Sequence, residues 1–181
     1  MIISPTEITD VLVIKPRVFE DDRGFFMESF NRKLFFEKTG LDLNFVQDNY
    51  SRSAQGVLRG LHYQIQQPQG KLVRAVVGEV FDVVVDIRRS SPTFGLWIGE
   101  YLSADNKHQL WIPPGMAHGF LTLSEAAEIL YKTTDYYAPA YERAIRWDDL
   151  DINITWPLTG APILSPKDLD GAWLKDAEVF A

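Results

Sequence analysis

The stretch 56–64 places an arginine and a histidine inside an otherwise apolar, strand-like run (Gly56-Val57-Leu58-Arg59-Gly60-Leu61-His62-Tyr63-Gln64). Side chains of a regular strand alternate between its two faces, so Arg59 and His62 would point in opposite directions. Glycine inside a strand often marks a bulge, and one extra residue at Gly60 would return both side chains to one face. The stretch therefore predicts His62 as a catalytic base and Arg59 as the holder of an anionic substrate. The alternative is a core histidine beside a surface arginine.

A histidine base needs a group that orients it and an acid that returns the proton. Asp168 is a candidate for orienting His62, although Ser165-Pro166-Lys167-Asp168 also has the form of a helix capping box. Tyr131 shares a strand face with Ile129 and Thr133, and it is either a core tyrosine or a general acid. Lys71, like Arg59, is either a solvated cation or a group that stabilises an oxyanion or binds phosphate.

Two short motifs resemble parts of a cupin metal site. The segment 113–118, Pro-Pro-Gly-Met-Ala-His, resembles the second cupin motif, and His62-Tyr63-Gln64 has glutamine where a second histidine would bind. Two histidines without the neighbouring ligand make a poor transition-metal site, and the third histidine, His108, lies in a predicted turn. The sequence therefore predicts acid–base chemistry without a metal or cofactor.

Short strand-like runs recur along the chain between Gly, Pro and polar turn residues, and few segments have a helical period. This pattern predicts a mainly β protein, an antiparallel jelly roll or β-sandwich of the cupin type with a few short helices. Asn31 and Gly40 predict the start and end of one short helix over 32–38. A second short helix is predicted near the end of the chain.

Three local predictions concern strands near the candidate site. Residues 71–77 and 80–87 are two predicted strands, and Gly78-Glu79 between them is a hairpin signal. Within 80–87 apolar residues alternate with Asp82 and Asp86, which predicts a strand with one buried face. Residues 45–50 are predicted as a strand, and residues 51–55 as a polar link.

The composition is that of an ordinary globular protein, and 181 residues suit a single domain over 1–181. A net charge of −7 argues against a nucleic-acid binder with a general basic surface. There is no cysteine, no apolar run of transmembrane length and no signal-peptide pattern. We therefore expect a cytoplasmic protein with no membrane or nucleic-acid partner.

Several blocks, taken together and in order, resemble the dTDP-4-dehydrorhamnose 3,5-epimerase family of the dTDP-L-rhamnose pathway. The resemblance extends from about residue 5 to about residue 176 and rests on 22–26 (DRGFF), 45–49 (FVQDN), 56–64 (GVLRGLHYQ), 70–74 (GKLVR), 112–120 (IPPGMAHGF), 131–137 (YKTTDYY) and 145–147 (IRW). Departures are small: Tyr50 stands where histidine is frequent, and Gln55 where arginine is frequent.

The resemblance implies a metal-free cupin jelly roll that works as a homodimer on a dTDP-sugar. Carried over by position, His62 is the base, Asp168 orients it, Tyr131 is the acid, and Lys71 faces the oxyanion at C4 of the sugar. The implied substrate-binding residues are Arg23, Arg59 and Lys167 for the diphosphate, Tyr137 for stacking on thymine, and Phe26, Glu28, Gln47, Asn49, His118 and Glu142 around the rest of the nucleotide sugar.

Three alternatives remain open at this point. An epimerase acting at C3 alone would keep the same histidine–aspartate base. A metal-dependent cupin oxygenase would need the ligand that Gln64 replaces. A non-catalytic module for binding nucleotide sugars would keep Arg59 and Tyr137 but would need no base.

Overall fold

Antiparallel strands make up most of the chain, and the computed structural model describes all residues, 1–181. In chain order the elements are β1 (Ile2–Pro5), β2 (Leu12–Lys15), β3 (Val18–Asp21), β4 (Gly24–Met27), α1 (Arg32–Thr39), β5 (Gln47–Ala54), β6 (Leu58–Gln64), β7 (Lys71–Val77), β8 (Glu79–Asp86), β9 (Trp97–Ser103), β10 (Gln109–Ile112), β11 (Met116–Thr122), β12 (Ala126–Thr133), a 3-10 turn (Pro139–Tyr141), β13 (Glu142–Ala144) and α2 (Pro166–Leu169).

The strands form two large sheets and a separate hairpin. The first sheet has the order β1-β2-β10-β7-β12-β5, the second has the order β13-β6-β11-β8-β9, and β3 and β4 pair only with each other. Successive strands cross between the sheets, as when β10, β11 and β12 lie in the first, second and first sheet. The predicted antiparallel jelly roll with a few short helices is therefore confirmed.

Apolar side chains fill both sides of the second sheet. Between the sheets lies a buried cluster that contains Val73 and Ile129 from the first sheet and Val80, Val84 and Phe120 from the second. A second cluster covers the outer face of the second sheet, where residues of the C-terminal part of the chain pack on it: Ile145, Ile152, Trp156, Leu174 and Ala177. The tail of the chain thus closes a face that would otherwise be open to solvent.

This outer layer corrects the prediction for β8. All of Val80–Ile87 is buried, so both faces of the strand are covered. The prediction of a strand was correct, and the prediction that only one of its faces is buried was wrong. A strand covered by a distant segment of its own chain has the same local pattern as one that faces water on one side, and the tail was too far away in sequence to enter that prediction.

The predicted hairpin at Gly78-Glu79 is also wrong. Strands β7 and β8 lie in different sheets, so the chain turns a corner at Gly78 instead of folding back on itself. Gly78 has a φ of +68°, and an added Cβ would lie 2.1 Å from the carbonyl oxygen of Ala126. A glycine that permits close backbone approach and a glycine in a two-residue turn give the same sequence signal.

The predicted polar link 51–55 is mostly strand. Strand β5 continues to Ala54 and pairs with β12 along its whole length. It is the edge strand of its sheet, and its side chains alternate between exposed and partly covered positions. Serines and an arginine on an exposed edge resemble a loop in composition, because such an edge has few apolar contacts to make.

Both predicted helices are present, and the first, α1, ends one residue later than predicted. The side chain of Asn31 accepts a hydrogen bond from Leu34 N at 3.1 Å, and Gly40 ends α1 in the left-handed region with a φ of +73°. Helix α2 starts at the predicted capping box, with Pro166 in its first turn. Neither helix has the length and apolar character needed to cross a lipid bilayer.

Candidate active site

A cavity of about 330 Å³ opens between the two sheets, and most of the predicted site residues line it. They come from strands of both sheets, from the loop after β12 and from α2, and they are Arg59, His62, Lys71, His118, Tyr131, Tyr137, Glu142, Lys167 and Asp168. These residues span 110 positions of sequence, from 59 to 168, so only the folded chain brings them together.

The predicted bulge at Gly60 is present. In the pairing of β6 with β11, His62 lies opposite His118 and Arg59 opposite Phe120, so two residues of β6 face the single residue Gly119. Gly60 has a φ of +105°, and an added Cβ would lie 2.5 Å from the carbonyl oxygen of His118. The extra residue places Arg59 and His62 on one face, and both line the cavity.

His62 lies against Asp168, with 2.8 Å between Nε2 of the imidazole and Oδ1 of the carboxylate. The geometry of this contact is not that of a well-aligned hydrogen bond. Nδ1 is the ring nitrogen left for the cavity. A carboxylate on one side of an imidazole stabilises the protonated ring, which suits a base that takes up a proton from a bound molecule.

Asp168 both contacts His62 and caps α2. One oxygen, Oδ1, accepts a hydrogen bond from Gly60 N at 2.9 Å and faces His62. The other, Oδ2, accepts from the backbone N–H and the hydroxyl of Ser165. Burial raises the pKa of Asp168, but the contact with His62 and the hydrogen bonds from Ser165 and Gly60 outweigh it and hold this pKa well below its usual range. The carboxylate is therefore ionised at any pH at which the protein works.

Tyr131 extends from β12, in the sheet opposite to that of His62, and it lines the same cavity. Burial raises the pKa of its phenol, and the negative charge of Glu142 raises it further. The phenol thus keeps its proton at neutral pH and can donate it to a bound molecule. A base and an acid on opposite walls can act on the two faces of one carbon atom.

Lys71 begins β7, and its Nζ lies 3.5 Å from the carbonyl oxygen of His62. Burial lowers the pKa of its ammonium to about 8, against the opposing effect of Asp82 and Glu142. Most of the lysine side chains are therefore charged at pH 7, and each can donate a hydrogen bond to an oxyanion in the cavity.

Three further residues form a connected polar group at the cavity mouth. The hydroxyl of Tyr137 donates to Glu142 Oε2 at 2.7 Å, and Lys167 forms an ion pair with Glu142 Oε1. Burial raises the pKa of Glu142, but the hydrogen bonds from Lys167 and Tyr137 outweigh it and lower the pKa overall. Tyr137 itself is 53% exposed, so its ring is open for stacking.

Gln47 and Asn49 lie next to the cavity without lining it. Gln47 Oε1 accepts from Tyr137 N at 3.0 Å, and Gln47 Nε2 donates to Asn49 Oδ1 at 2.9 Å. Asn49 is paired in register with Tyr131. These two predicted residues therefore lie beside Tyr131 and Tyr137 on the neighbouring edge strand.

Arg23, Phe26 and Glu28 are not brought to the cavity within one chain. They lie on or just after the separate β3–β4 hairpin, where Arg23 pairs with Asp21 at 2.6 Å and Phe26 is 66% exposed. Glu28 accepts a hydrogen bond from the Asn31 side chain.

Gln64, at the place of the second cupin histidine, is engaged with the backbone. Its Nε2 donates to the carbonyl oxygens of Gln67 and Tyr136, and its Oε1 accepts from Ala138 N. The side chain thus holds the loop that carries Tyr137. No group of three or more His, Cys, Asp or Glu side chains in the chain is arranged to hold a metal ion.

Sequence reasoning missed one residue of this region. Asp82 on β8 is fully buried, and both of its oxygens lie 2.9 Å from Nε2 of His118. The sequence shows a carboxylate that alternates with apolar residues in a strand. Nothing in the neighbouring residues indicated that this face of the strand points toward the cavity.

The fold and the cavity define a class: a cupin-type jelly roll whose cavity holds a histidine–aspartate pair opposite a tyrosine. Comparison with known proteins adds the family. The model of the dTDP-4-dehydrorhamnose 3,5-epimerase family matches residues 5–176. The chain belongs to this family.

Individual relatives agree over nearly the whole chain. The chain is 64% identical over 173 residues to the dTDP-4-dehydrorhamnose 3,5-epimerase of Pseudomonas aeruginosa, and the alignment covers 96% of each chain. It is 61% identical over 176 residues to that of Shigella flexneri, covering 97% of each. The crystal structure of the dTDP-6-deoxy-D-glucose-3,5-epimerase of Legionella pneumophila, in complex with dTDP-4-keto-L-rhamnose, superposes with a TM-score of 0.95 at 53% identity, covering 97% of this chain and 94% of that one.

Proposed function

We propose that this protein inverts C3 and C5 of dTDP-4-dehydro-6-deoxy-D-glucose to give dTDP-4-dehydro-L-rhamnose, as a cytoplasmic homodimer in dTDP-L-rhamnose biosynthesis. One observation carries the chemical part of the proposal. His62 and Tyr131 extend from opposite sheets into one cavity, and Lys71 lines the same cavity from the strand next to that of Tyr131. Membership of the family supports the choice of substrate.

The chemistry follows from the ketone at C4. A C–H bond next to a carbonyl is acidic because the electron pair left behind moves into a C–C double bond and onto the carbonyl oxygen. His62 takes this proton, and Lys71 donates a hydrogen bond to the resulting oxyanion. One well-placed donor lowers such a barrier by roughly 3–4 kcal/mol. Tyr131 then gives its proton to the opposite face of the same carbon, which inverts it.

The same groups serve both centres, because C3 and C5 both flank the C4 carbonyl. After each inversion His62 carries the extra proton and Tyr131 lacks one, and exchange with water restores both groups. No electrons are gained or lost overall, so the steps require no redox cofactor.

Charged groups around the cavity support the binding of a nucleoside diphosphate. Arg59 and Lys167 line the cavity of a protein whose net charge is −7, and such a local cluster attracts an anion in spite of the overall charge. The exposed ring of Tyr137 is the group suited to stack on thymine.

The position of the β3–β4 hairpin supports the homodimer. It carries Arg23 and Phe26, pairs with neither large sheet, and exposes the rings of Phe25 and Phe26. We propose that this hairpin covers the cavity of a second copy, where Arg23, Phe26 and Glu28 would contact the nucleotide sugar.

A mixing experiment tests this arrangement. His62→Asn and Arg23→Ala dimers, each of low activity alone, would form heterodimers with one cavity that has both native residues. After exchange of subunits, activity should return to about a quarter of the parent value, because half of the dimers are mixed and each has one native site. No recovery, with heterodimers demonstrated by mass spectrometry, would refute the shared site.

The experiment for the activity is proton NMR of dTDP-4-dehydro-6-deoxy-D-glucose incubated with the protein in deuterated water. We expect deuterium at both C3 and C5 and conversion to the L-rhamno configuration, with neither in the His62→Asn variant. Deuterium at C3 alone would identify a C3 epimerase. Binding without any exchange would identify a non-catalytic module.

A further inference from the structure

One carboxylate lies beneath the cavity without lining it. Asp82 is 0% exposed, and its only hydrogen-bonding partner in the chain is Nε2 of His118, 2.9 Å from each of its oxygens. Burying a carboxylate is costly unless several donors or a positive charge compensate it. One ring N–H leaves much of this cost uncompensated, so stability alone does not account for Asp82.

A lysine of the opposite sheet interacts with the charge of this carboxylate. Burial lowers the pKa of Lys71 to about 8, and Asp82 opposes this lowering more than any other group, ahead of Glu142. Lys71 and His118 both line the cavity, whereas Asp82 does not. Asp82 thus influences two groups that can touch a substrate while staying out of contact with it.

We propose that Asp82 is a positioning residue for the reaction: it fixes the ring of His118 through Nε2 and keeps a positive charge on Lys71 where the oxyanion forms. The inference rests on the proposed function, because the oxyanion is an intermediate of that reaction. With neutral His118, the N–H on Nε2 points to Asp82, and Nδ1 keeps a lone pair that can accept a hydrogen bond from a sugar hydroxyl.

Other groups share these surroundings and influence the same charge. Glu142 on β13 favours the ammonium form of Lys71, and Lys167 on α2 opposes it. The remaining titratable groups that line the cavity are Arg59, His62 and Tyr63 on β6, His118 on β11, Tyr131 on β12, Tyr137 before the 3-10 turn, and Asp168 on α2. All of them are unchanged in the variants below, so a difference between variants reports the substituted carboxylate.

The first test does not depend on activity. The protein is labelled with lysine carrying ¹³C at Cε, the Lys71 signal is assigned with Lys71→Arg, and its titration is followed by NMR in the ligand-free protein. We expect Asp82→Asn to move the midpoint of Lys71 down by at least about one pH unit, since an opposite charge nearby shifts a pKa by one to three units.

Asp86→Asn is the matched control. Asp86 lies four residues further along β8, on the same face, and is equally buried. Its partners, Arg88, Ser91 and Thr93, lie outside the cavity. This variant should lose stability and leave the titration of Lys71 unchanged.

The second test measures kcat and KM against pH with the nucleotide sugar. In Asp82→Asn the alkaline fall in kcat should move to lower pH by the shift that NMR measures for Lys71, which lowers kcat at pH 8 by roughly tenfold or less for a one-unit shift. The Asp86→Asn profile should match that of the parent. A parent protein without turnover would refute the proposed function, and the NMR titration would still decide whether Asp82 controls Lys71.

An unchanged Lys71 midpoint in Asp82→Asn would overturn the proposal, as would an unchanged pH profile of kcat. If Asp82→Asn does not fold, Asp82→Ser makes the same change of charge, leaves room for a water molecule, and should show the same shifts. Failure of both variants to fold would assign Asp82 to the stability of the fold and would also overturn the proposal.

Discussion

Two histidine–aspartate pairs lie at the cavity. They consist of the same two residue types and differ in which other groups hydrogen-bond to the aspartate. In one, Asp168 accepts hydrogen bonds from Gly60 and Ser165 in addition to facing His62. In the other, Asp82 has only His118 as a hydrogen-bonding partner. Fixed donors keep Asp168 charged whether or not His62 is protonated. The charge of Asp82 acts on Lys71, whose ammonium form it favours.

This difference shows why the same two residue types need not share a role. A base must change its protonation state during each turnover, and its partner should remain constant while it does so. Asp168 meets that requirement because donors from the backbone and from a helix cap surround it. Asp82 is suited to keep neighbouring groups in one state. The predictions below test this contrast, beginning with the largest expected effect.

His62→Asn should abolish nearly all turnover, and Asp168→Asn should lower kcat by roughly 10²–10³, somewhat less than the 10⁴ of the corresponding change in serine proteases. Both exceed the effect expected for Asp82→Asn. Adding Asp168→Asn to His62→Asn should cost little more, because the two residues act as a unit. If Asp168→Asn kept more than about half of the parent kcat, Asp168 would be a helix cap and nothing more.

Ser165→Ala is the control that separates capping from catalysis. It removes the hydroxyl that donates to Asp168 Oδ2 and leaves Oδ1 facing His62. We expect a loss of stability of about 1 kcal/mol with kcat near the parent value. Thermal unfolding and steady-state kinetics on the same preparations measure the two effects separately.

Tyr131→Phe tests whether the base acts from the wall opposite Tyr131, where His62 lies. Without the phenol, His62 can still remove a proton and return deuterium to the same face, so exchange should continue while inversion falls by about 10²–10⁴. NMR in deuterated water observes both in one sample. Loss of exchange together with inversion would contradict a base on the wall opposite Tyr131.

Tyr137→Ala should weaken dTDP binding without changing either histidine–aspartate pair. Stacking of an aromatic ring on a base contributes roughly 1–3 kcal/mol, which corresponds to an increase in Kd of about 5- to 150-fold. Calorimetry with dTDP measures it, and the pH profile of kcat should stay in place. An unchanged Kd would rule out the stacking role.

The fall in the free energy of unfolding at acid pH should depend on Asp168. Its pKa is lowered in the folded chain, so its stabilising contribution is present above its unfolded pKa, about 3.9, and is lost as the pH falls toward the folded value. Denaturant unfolding between pH 5 and about pH 2 should show a smaller fall for Asp168→Asn than for the parent. Equal falls would mean that the hydrogen bonds around Asp168 do not favour its ionised form.

Exhaustive treatment with EDTA should leave kcat unchanged, which is the smallest expected effect. In both pairs Nε2 faces a carboxylate, and Gln64 is bound to the backbone of the loop at Tyr136–Ala138. Loss of activity with recovery on addition of one metal would show that the histidines are metal ligands. The roles given to the two histidine–aspartate pairs would then be wrong.

Features that depend on neighbouring residues could be predicted from the sequence. The caps of α1 and α2 and the bulge at Gly60 all rest on the chain within a few residues of each site. The ordered blocks of sequence likewise predicted which side chains would meet in one cavity, and nine positions that they indicated line it.

Tertiary structure alone decided features that depend on distant segments. Gly78 turns the chain from one sheet to the other because its backbone meets Ala126, and β8 is covered on both faces because the C-terminal part of the chain packs on it. The double role of Asp168 and the place of Asp82 under His118 arise in the same way. Local sequence determines how a residue can be oriented on its strand or helix, whereas long-range packing determines which groups lie opposite it and therefore its charge and its chemistry.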